Sequence, residues 1–186
     1  MPPLKAVIFK VLFFLMIILY FASCGKKSQR ESSFKKETFN KNHTEEIETS
    51  FFIDMGNVVN STISKSQIAK QKSSESKILE VSKKIENHEN QLLQKVTEMA
   101  NKKLIVITDL NATHKDEIVK LTNTKDINFN IAYLNSMSTS LAQQIKLFEN
   151  ISKETNDKMI LRLALQCLPE QYQLLRETEQ IKNEIN

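Results

Sequence analysis

The chain has 186 residues, a net charge of +4, two glycines, three prolines and no tryptophan. This length suffices for one domain with a sizeable core, and the scarcity of helix breakers favours an all-helical chain. Lys5 and Lys10 are the only charged side chains among the first 23 residues, so the remainder carries only +2. That charge is too weak and too evenly mixed to indicate a nucleic-acid partner.

The first 23 residues have the layout of a bacterial signal peptide. Lys5 and Lys10 form a positive segment, and residues 11–22 are an uncharged apolar run. A run of this length is too short for a comfortable membrane span and is typical of the apolar region of a signal peptide. We therefore expect residues 1–23 to be a signal peptide that is removed.

The end of this segment reads Phe21-Ala22-Ser23-Cys24 and resembles a lipobox, with Phe21 in place of the usual leucine. Small residues before the cysteine let the processing peptidase approach the backbone, and the Cys24 thiol is where lipid is attached. The resemblance implies a lipoprotein acylated on Cys24, tethered to a membrane of the cell envelope and facing the periplasm or the exterior. The alternative is an uncleaved N-terminal anchor in which Cys24 is incidental.

Residues 24–50 are polar, with six basic and five acidic side chains and no apolar periodicity. Such a composition buries too little apolar surface to order itself. It predicts a disordered tether over residues 24–50 that joins the lipid to a domain at residues 51–186.

Four apolar seams with helical spacing follow in residues 51–186. They predict helices over about 52–72, 75–103, 126–152 and 155–185. The seam residues are, helix by helix, Phe52, Met55, Val59, Thr62, Ser66 and Ala69; Ile78, Val81, Ile85, Leu92, Val96 and Met99; Ile127, Ile131, Leu134, Leu141, Ile145 and Phe148; and Ile160, Leu163, Cys167, Leu174 and Ile181. Cys167, on the last seam, is expected to be a buried small hydrophobe.

The connection between the second and third long helices is unusually long. Residues 104–107 are apolar and β-branched but have no second strand to pair with, so we expect an extended crossover. Asn111 then precedes a short helix at about 113–121. Ser73 or Ser74 is expected to cap the second helix, and Thr155 or Asn156 the last. Together these features predict an all-α, ferritin-like four-helix bundle with a long crossover between helices two and three.

Several motifs resemble a bacterial family, domain-of-unknown-function family 4142, whose members are labelled predicted outer membrane proteins. The motifs are the run Thr62-Ile63-Ser64-Lys65-Ser66-Gln67-Ile68-Ala69-Lys70-Gln71-Lys72, Ile78-x-x-Val81-x-x-x-Ile85, Val96-x-x-Met99-Ala100-x-x-Lys103, Phe129-Asn130-x-Ala132-Tyr133-x-x-x-Met137 and Leu168-Pro169. The resemblance covers residues 51–184 and implies a ferritin-like fold, with no established biochemical function.

The same resemblance implies polar residues at four core positions, commonly a Glu on the first helix and a His on each of the others. Here these positions fall on Thr62, Glu89, Leu141 and Leu174. A ferritin-like di-metal site also needs two Glu-x-x-His pairs, and the chain has none. We therefore expect no metal site, no cofactor and no catalytic residue.

His88 occupies a seam position between Ile85 and Leu92, and burying an imidazole requires partners for its ring nitrogens. The expected partners are Thr62, Ser66 and Ser138. Glu89, adjacent to His88, is expected to point about a hundred degrees away around the helix. The alternative, that His88 holds one metal ion weakly with neighbouring glutamates, lacks the three or four convergent ligands that metal sites need.

These observations favour a lipid-anchored envelope protein with a non-enzymatic bundle domain, structural or partner-binding in role. Its partners are the membrane, through Cys24, and an unknown envelope protein. The alternative is a ferritin-like metal-binding protein or oxidoreductase of the envelope.

Overall fold

The computed structural model describes the backbone of residues 28–185 and the side chains of residues 43–125 and 128–185. Within these residues the chain forms five α-helices and no strand, which confirms the all-helical prediction. The helices are α1 (Ser28–Lys72), α2 (Ser76–Lys102), α3 (Ala112–Asn123), α4 (Asp126–Glu154) and α5 (Lys158–Ile185). The predicted signal peptide, Cys24 and the side chain of Ile127 lie outside the described residues.

The helix α1 begins at Ser28, well before the expected start near residue 52. Residues 28–50, which the composition predicts to be disordered, are therefore helical in the structure. No glycine or proline interrupts them. The chain divides into two compact units, Met1–His43 and Thr44–Asn186, and the packing described below is that of the second unit.

Part of the expected tether is anchored by what we call the ion cluster, formed by Glu48, Lys103, Thr155 and Asp157. Glu48 is only 7% exposed. Lys103 Nζ lies 2.8 Å from Glu48 Oε2 and 2.7 Å from Asp157 Oδ2, and the Thr155 hydroxyl donates to Glu48 Oε1. These contacts explain why the end of the polar segment belongs to the folded domain.

Two apolar clusters form the core, and each receives residues from α1, α2, α4 and α5. The first apolar cluster comprises Phe51, Phe52, Met55, Val58, Val59, Ile63, Leu92, Val96, Ala100, Phe148, Ile151, Ile160, Leu163, Ala164 and Cys167. The second comprises Ala69, Ile78, Val81, Ile85, Leu121, Phe129, Tyr133, Leu134, Met137, Leu141, Leu174 and Ile181. The predicted seams are confirmed where side chains are described, with Met99 and Ile131 only half-buried.

Residues 103–111 form the crossover, which is neither helix nor strand, as expected. Ile105 and Ile107 pack against the first apolar cluster. A Cβ on Gly56 would lie 2.4 Å from Ile107 Cγ2, so α1 needs glycine at this point of close approach. Leu104 adopts a left-handed conformation with φ of 60° and is 92% exposed.

Asn111 caps α3, accepting a hydrogen bond from the His114 amide at 3.0 Å. The expected caps of α2 and α5 are wrong. Glu75 precedes α2 without a side-chain cap. At α5 the cap is Asp157, the residue before the helix, whose Oδ1 accepts from the Met159 amide at 2.7 Å, while Thr155 Oγ1 accepts from the Asp157 amide at 2.9 Å.

Candidate functional site

Along each long helix, polar side chains interrupt the sequence between the two apolar clusters. Thr62 of α1, His88 and Glu89 of α2, Gln144 of α4 and Gln171 of α5 are all buried, and four of them are fully inaccessible. We call these five residues the amide layer. It is the largest group of interacting buried polar side chains in the part of the chain whose side chains are described.

The Gln171 side-chain amide is the hub of this layer. Its Nε2 lies 2.6 Å from Gln144 Oε1, 3.1 Å from Glu89 Oε1 and 3.2 Å from His88 Nε2. Gln144 Nε2 in turn donates to Thr62 Oγ1 at 3.3 Å. The Thr62 hydroxyl donates to the Val58 carbonyl one turn earlier in α1. Hydrogen bonds therefore connect all four long helices through the interior.

His88 links the amide layer to the surface. Its Nδ1 lies 3.1 Å from Glu170 Oε2, and the Glu170 side chain is 60% exposed. Burial lowers the pKa of His88, although the Glu170 carboxylate acts in the opposite direction. The expected partners of His88, namely Thr62, Ser66 and Ser138, are wrong, since the ring faces α5 instead.

Glu89 lies in the same layer, contrary to the expectation that it points away from it. Its side chain is fully buried and faces no cation, so burial raises its pKa to about 8. Hydrogen bonds from the Gln171 and Gln144 amides oppose this rise without cancelling it. Glu89 Oε2 and Gln171 Oε1 have no hydrogen-bond partner among the described residues. At neutral pH Glu89 is therefore mostly an uncharged carboxylic acid.

Two of the expected family positions are displaced by about one helical turn. Leu141 and Leu174 belong to the second apolar cluster, whereas α4 and α5 contribute Gln144 and Gln171 to the amide layer. Neither glutamine was predicted from the sequence to be buried. The available signal was the seven-residue spacing between Cys167 and Leu174, which matches the spacing from Ile85 to Leu92 that contains His88 and Glu89.

The amide layer does not fit the dinuclear metal centre that a ferritin-like fold would imply. Such a centre needs an inward carboxylate from each of the four helices and an imidazole from two of them. Here α1 supplies a hydroxyl, α4 and α5 supply amides, and these side chains bond to one another. Across the described side chains, no group of three or more His, Cys, Asp or Glu residues could hold a metal ion.

A second buried polar group lies under α3. Lys65 of α1 is 1% exposed, and its Nζ lies 2.7 Å from Glu117 Oε2 and 3.1 Å from Ser140 Oγ. The His114 ring lies 3.3 Å from the same Glu117 oxygen. Because Glu117 and His114 both belong to α3, this group fastens α3 to α1 and α4. This group was not predicted from the sequence.

Cys167 is 3% exposed, as expected for a small hydrophobe, and burial raises the pKa of its thiol. Such a thiol is a poor nucleophile at neutral pH.

No helix within residues 28–185 is both long enough and apolar enough to cross a membrane.

Comparison with protein families matches residues 35–181 to a domain of unknown function, DUF4142. The match covers most of the chain, so the protein belongs to this family. The resemblance inferred from the sequence motifs is thereby confirmed. No curated protein and no solved structure matches the chain.

Proposed function

We propose that this protein is a lipid-anchored component of the bacterial cell envelope. Its domain is a ferritin-like four-helix bundle without metal or enzymatic activity. The bundle acts as a structural element or as the binding site for another envelope protein.

Membrane attachment is supported by the order of features at the N-terminus. Two lysines, an uncharged apolar run and the sequence Phe21-Ala22-Ser23-Cys24 follow one another without interruption. This order is typical of a signal peptide that ends at an acylated cysteine. Acyl chains on Cys24 would supply the membrane affinity, because buried methylene groups add to it individually.

The bundle arrangement is supported by the composition of the two apolar clusters. The helices α1, α2, α4 and α5 each contribute to both clusters, as expected for four long helices that pack side by side. The connection from α2 to α4 contains the crossover and α3. A long connection at this position suits a ferritin-like bundle.

The non-enzymatic role rests on one observation, the donor set of the amide layer. Gln144 and Gln171 hydrogen bond to each other at 2.6 Å, and neutral amides are poor ligands for iron, manganese or zinc. Neither glutamine can act as a nucleophile or as a general acid or base at neutral pH. The layer is chemically suited to holding helices together.

Lipid attachment is tested by expressing the full chain in a bacterium supplied with a clickable fatty acid. We expect the wild type to be labelled and Cys24→Ser to be unlabelled. Cys167→Ser, which changes the buried cysteine, is the matched control and should keep the label. An unlabelled wild type, or a labelled Cys24→Ser protein, would rule out acylation at this residue.

The metal-binding alternative is tested by elemental analysis of the purified protein. We expect no stoichiometric iron, manganese or zinc, before or after incubation with each metal. His88→Gln is the relevant variant because His88 is the only imidazole in the amide layer. Stoichiometric metal in the wild type that is lost in His88→Gln would support a metalloprotein and overturn the non-enzymatic proposal.

A further inference from the structure

The hydrogen bonds of the amide layer have a direction, and His88 determines it at one end. An amide nitrogen can only donate, so a hydrogen bond at the 3.2 Å contact makes His88 Nε2 the acceptor, which shares the two amide hydrogens of Gln171 with Glu89 Oε1 and Gln144 Oε1. The ring proton of neutral His88 then lies on Nδ1, where it is donated to Glu170 Oε2 at 3.1 Å. A second proton on the ring would occupy Nε2. Protonation of His88 would therefore place two donors opposite each other at the His88–Gln171 contact.

A half-turn of the Gln171 amide removes this conflict. The turn exchanges Nε2 with Oε1, which has no partner in the present arrangement. Oε1 then accepts from the protonated His88 ring. Glu89 is uncharged at the acid pH at which His88 gains its proton. It can therefore donate its carboxyl proton to Gln171 Oε1 instead of accepting from Gln171 Nε2. The buried glutamic acid thus has a partner in both arrangements.

The exchange extends to α1 through Gln144. Once Gln171 presents its oxygen, Gln144 must present its Nε2, so the Gln144 amide also turns. Gln144 Oε1 then faces Thr62 Oγ1, and the Thr62 hydroxyl donates to it instead of to the Val58 carbonyl. Each side-chain contact in the series persists with donor and acceptor exchanged, and the turned Gln171 Nε2 takes the buried position in which Oε1 has no partner at present.

We propose that the amide layer is a proton-coupled switch. Gain of a proton at His88 reverses the hydrogen bonds of Gln171 and Gln144. The reversal begins at the contact between α2 and α5, beside the solvent-exposed Glu170. It ends at Thr62 on α1.

The charged groups around His88 place this event on the acid side of neutrality. Burial opposes protonation most strongly, Glu170 of α5 favours it and Lys95 of α2 opposes it. The other titratable neighbours are Glu89 on the same helix and Cys167 on α5, whose pKa values are both raised, so both are uncharged in acid. From α4 and α1 the layer receives only the uncharged Gln144 and Thr62.

The test is an NMR titration of the full chain in detergent micelles, with ¹⁵N in histidine and glutamine side chains and ¹³C in threonine methyl groups. From neutral to acid pH, we expect the side-chain amide resonances of Gln171 and Gln144 to shift with the same midpoint as the His88 ring nitrogens. In His88→Gln, neither amide should show this transition. Stationary amides during His88 titration, or an unchanged transition in His88→Gln, would overturn the proposal.

Two further variants test the origin and the route of the signal. Glu170→Gln removes the carboxylate that favours protonated His88, so the shared midpoint should move to lower pH. Gln144→Met conserves the side-chain volume but interrupts the series of hydrogen bonds before it reaches Thr62. In that variant the Gln171 transition should persist while the Thr62 resonances stop responding. A Thr62 response that survives Gln144→Met with the same midpoint would show that the route is wrong.

Discussion

The amide layer and the ion cluster both join helices through buried polar side chains, yet charge is retained in only one of them. Glu89 in the amide layer is fully buried and faces amides, and burial raises its pKa to about 8. Asp157 in the ion cluster is partly exposed, and the hydrogen bond from Lys103 lowers its pKa. A counter-ion and access to solvent, rather than the type of side chain, therefore decide whether a carboxyl group of this domain is ionised.

The two sites give stability opposite dependences on pH. The folded protein holds a proton on Glu89 that the unfolded chain loses above about 4.5, so stability falls as pH rises towards 8. Asp157 is more acidic in the folded protein, so its contribution is present near neutrality and is lost as pH falls through its lowered pKa. Variants of the amide layer and of the ion cluster test separately how each site contributes to stability.

Glu89→Gln should give the largest effect. Above pH 6.5 the pH dependence of stability due to His88 fades, because the histidine becomes uncharged in the unfolded chain as well. From there to pH 8, wild-type stability should fall by about 2 kcal/mol. The variant keeps the shape of the side chain without an ionisable group, so its stability should stay nearly flat over this interval. Urea denaturation at a series of pH values measures both slopes.

Glu80→Gln is the matched control, because Glu80 is an exposed glutamate of the same helix. This variant should retain the wild-type slope. A Glu89→Gln protein with the wild-type slope would mean that Glu89 is ionised in the folded state and that the two sites do not differ.

Lys103→Met should give the next largest effect. It leaves buried Glu48 without its cation, and we expect a loss of about 1–2 kcal/mol at neutral pH in low salt. Added salt should narrow the difference from the wild type, because the cluster is partly exposed and its charges are screened. Lys102→Met removes an exposed lysine next to it and should change stability by no more than about 0.5 kcal/mol. Equal losses in both variants would mean that the ion cluster does not stabilise the fold.

Leu104→Gly should give the smallest effect, with the opposite sign. Leu104 follows Lys103 in a left-handed conformation that glycine adopts without strain, and its side chain is 92% exposed. We expect a gain of at most about 1 kcal/mol in urea denaturation. Val106→Gly, at an exposed crossover residue with ordinary backbone angles, should give no gain. A loss of stability in Leu104→Gly would show that no strain is stored beside the ion cluster.

The apolar seams could be predicted from the sequence because their spacing follows the helical period. The amide layer could be predicted only in part. His88 stood out as a histidine on a seam, but Gln171 did not, because glutamine is usually exposed and sits beside other polar residues of α5. What buries Gln171 is its set of partners on α2 and α4, which no local pattern reveals.

The start of α1 was predicted wrongly for a similar reason. A polar helix and a disordered tether have the same composition, so composition alone could not distinguish them. Glu48 is buried because Lys103, 55 residues later, lies beside it. The caps of α2 and α5 were predicted wrongly because residue type alone does not fix where a helix begins. Ser, Thr, Asn and Asp are all acceptable caps, and α5 begins only after Asp157.

The protonation state of Glu89 distinguishes a layer held by uncharged hydrogen bonds from a charged or metal-binding site. Infrared spectroscopy of the full chain at neutral pH measures it directly, through the carbonyl absorption of a protonated carboxylic acid. We predict that the wild type shows this band, that Glu89→Gln lacks it and that Glu80→Gln retains it. A wild-type spectrum without the band at neutral pH would contradict the account.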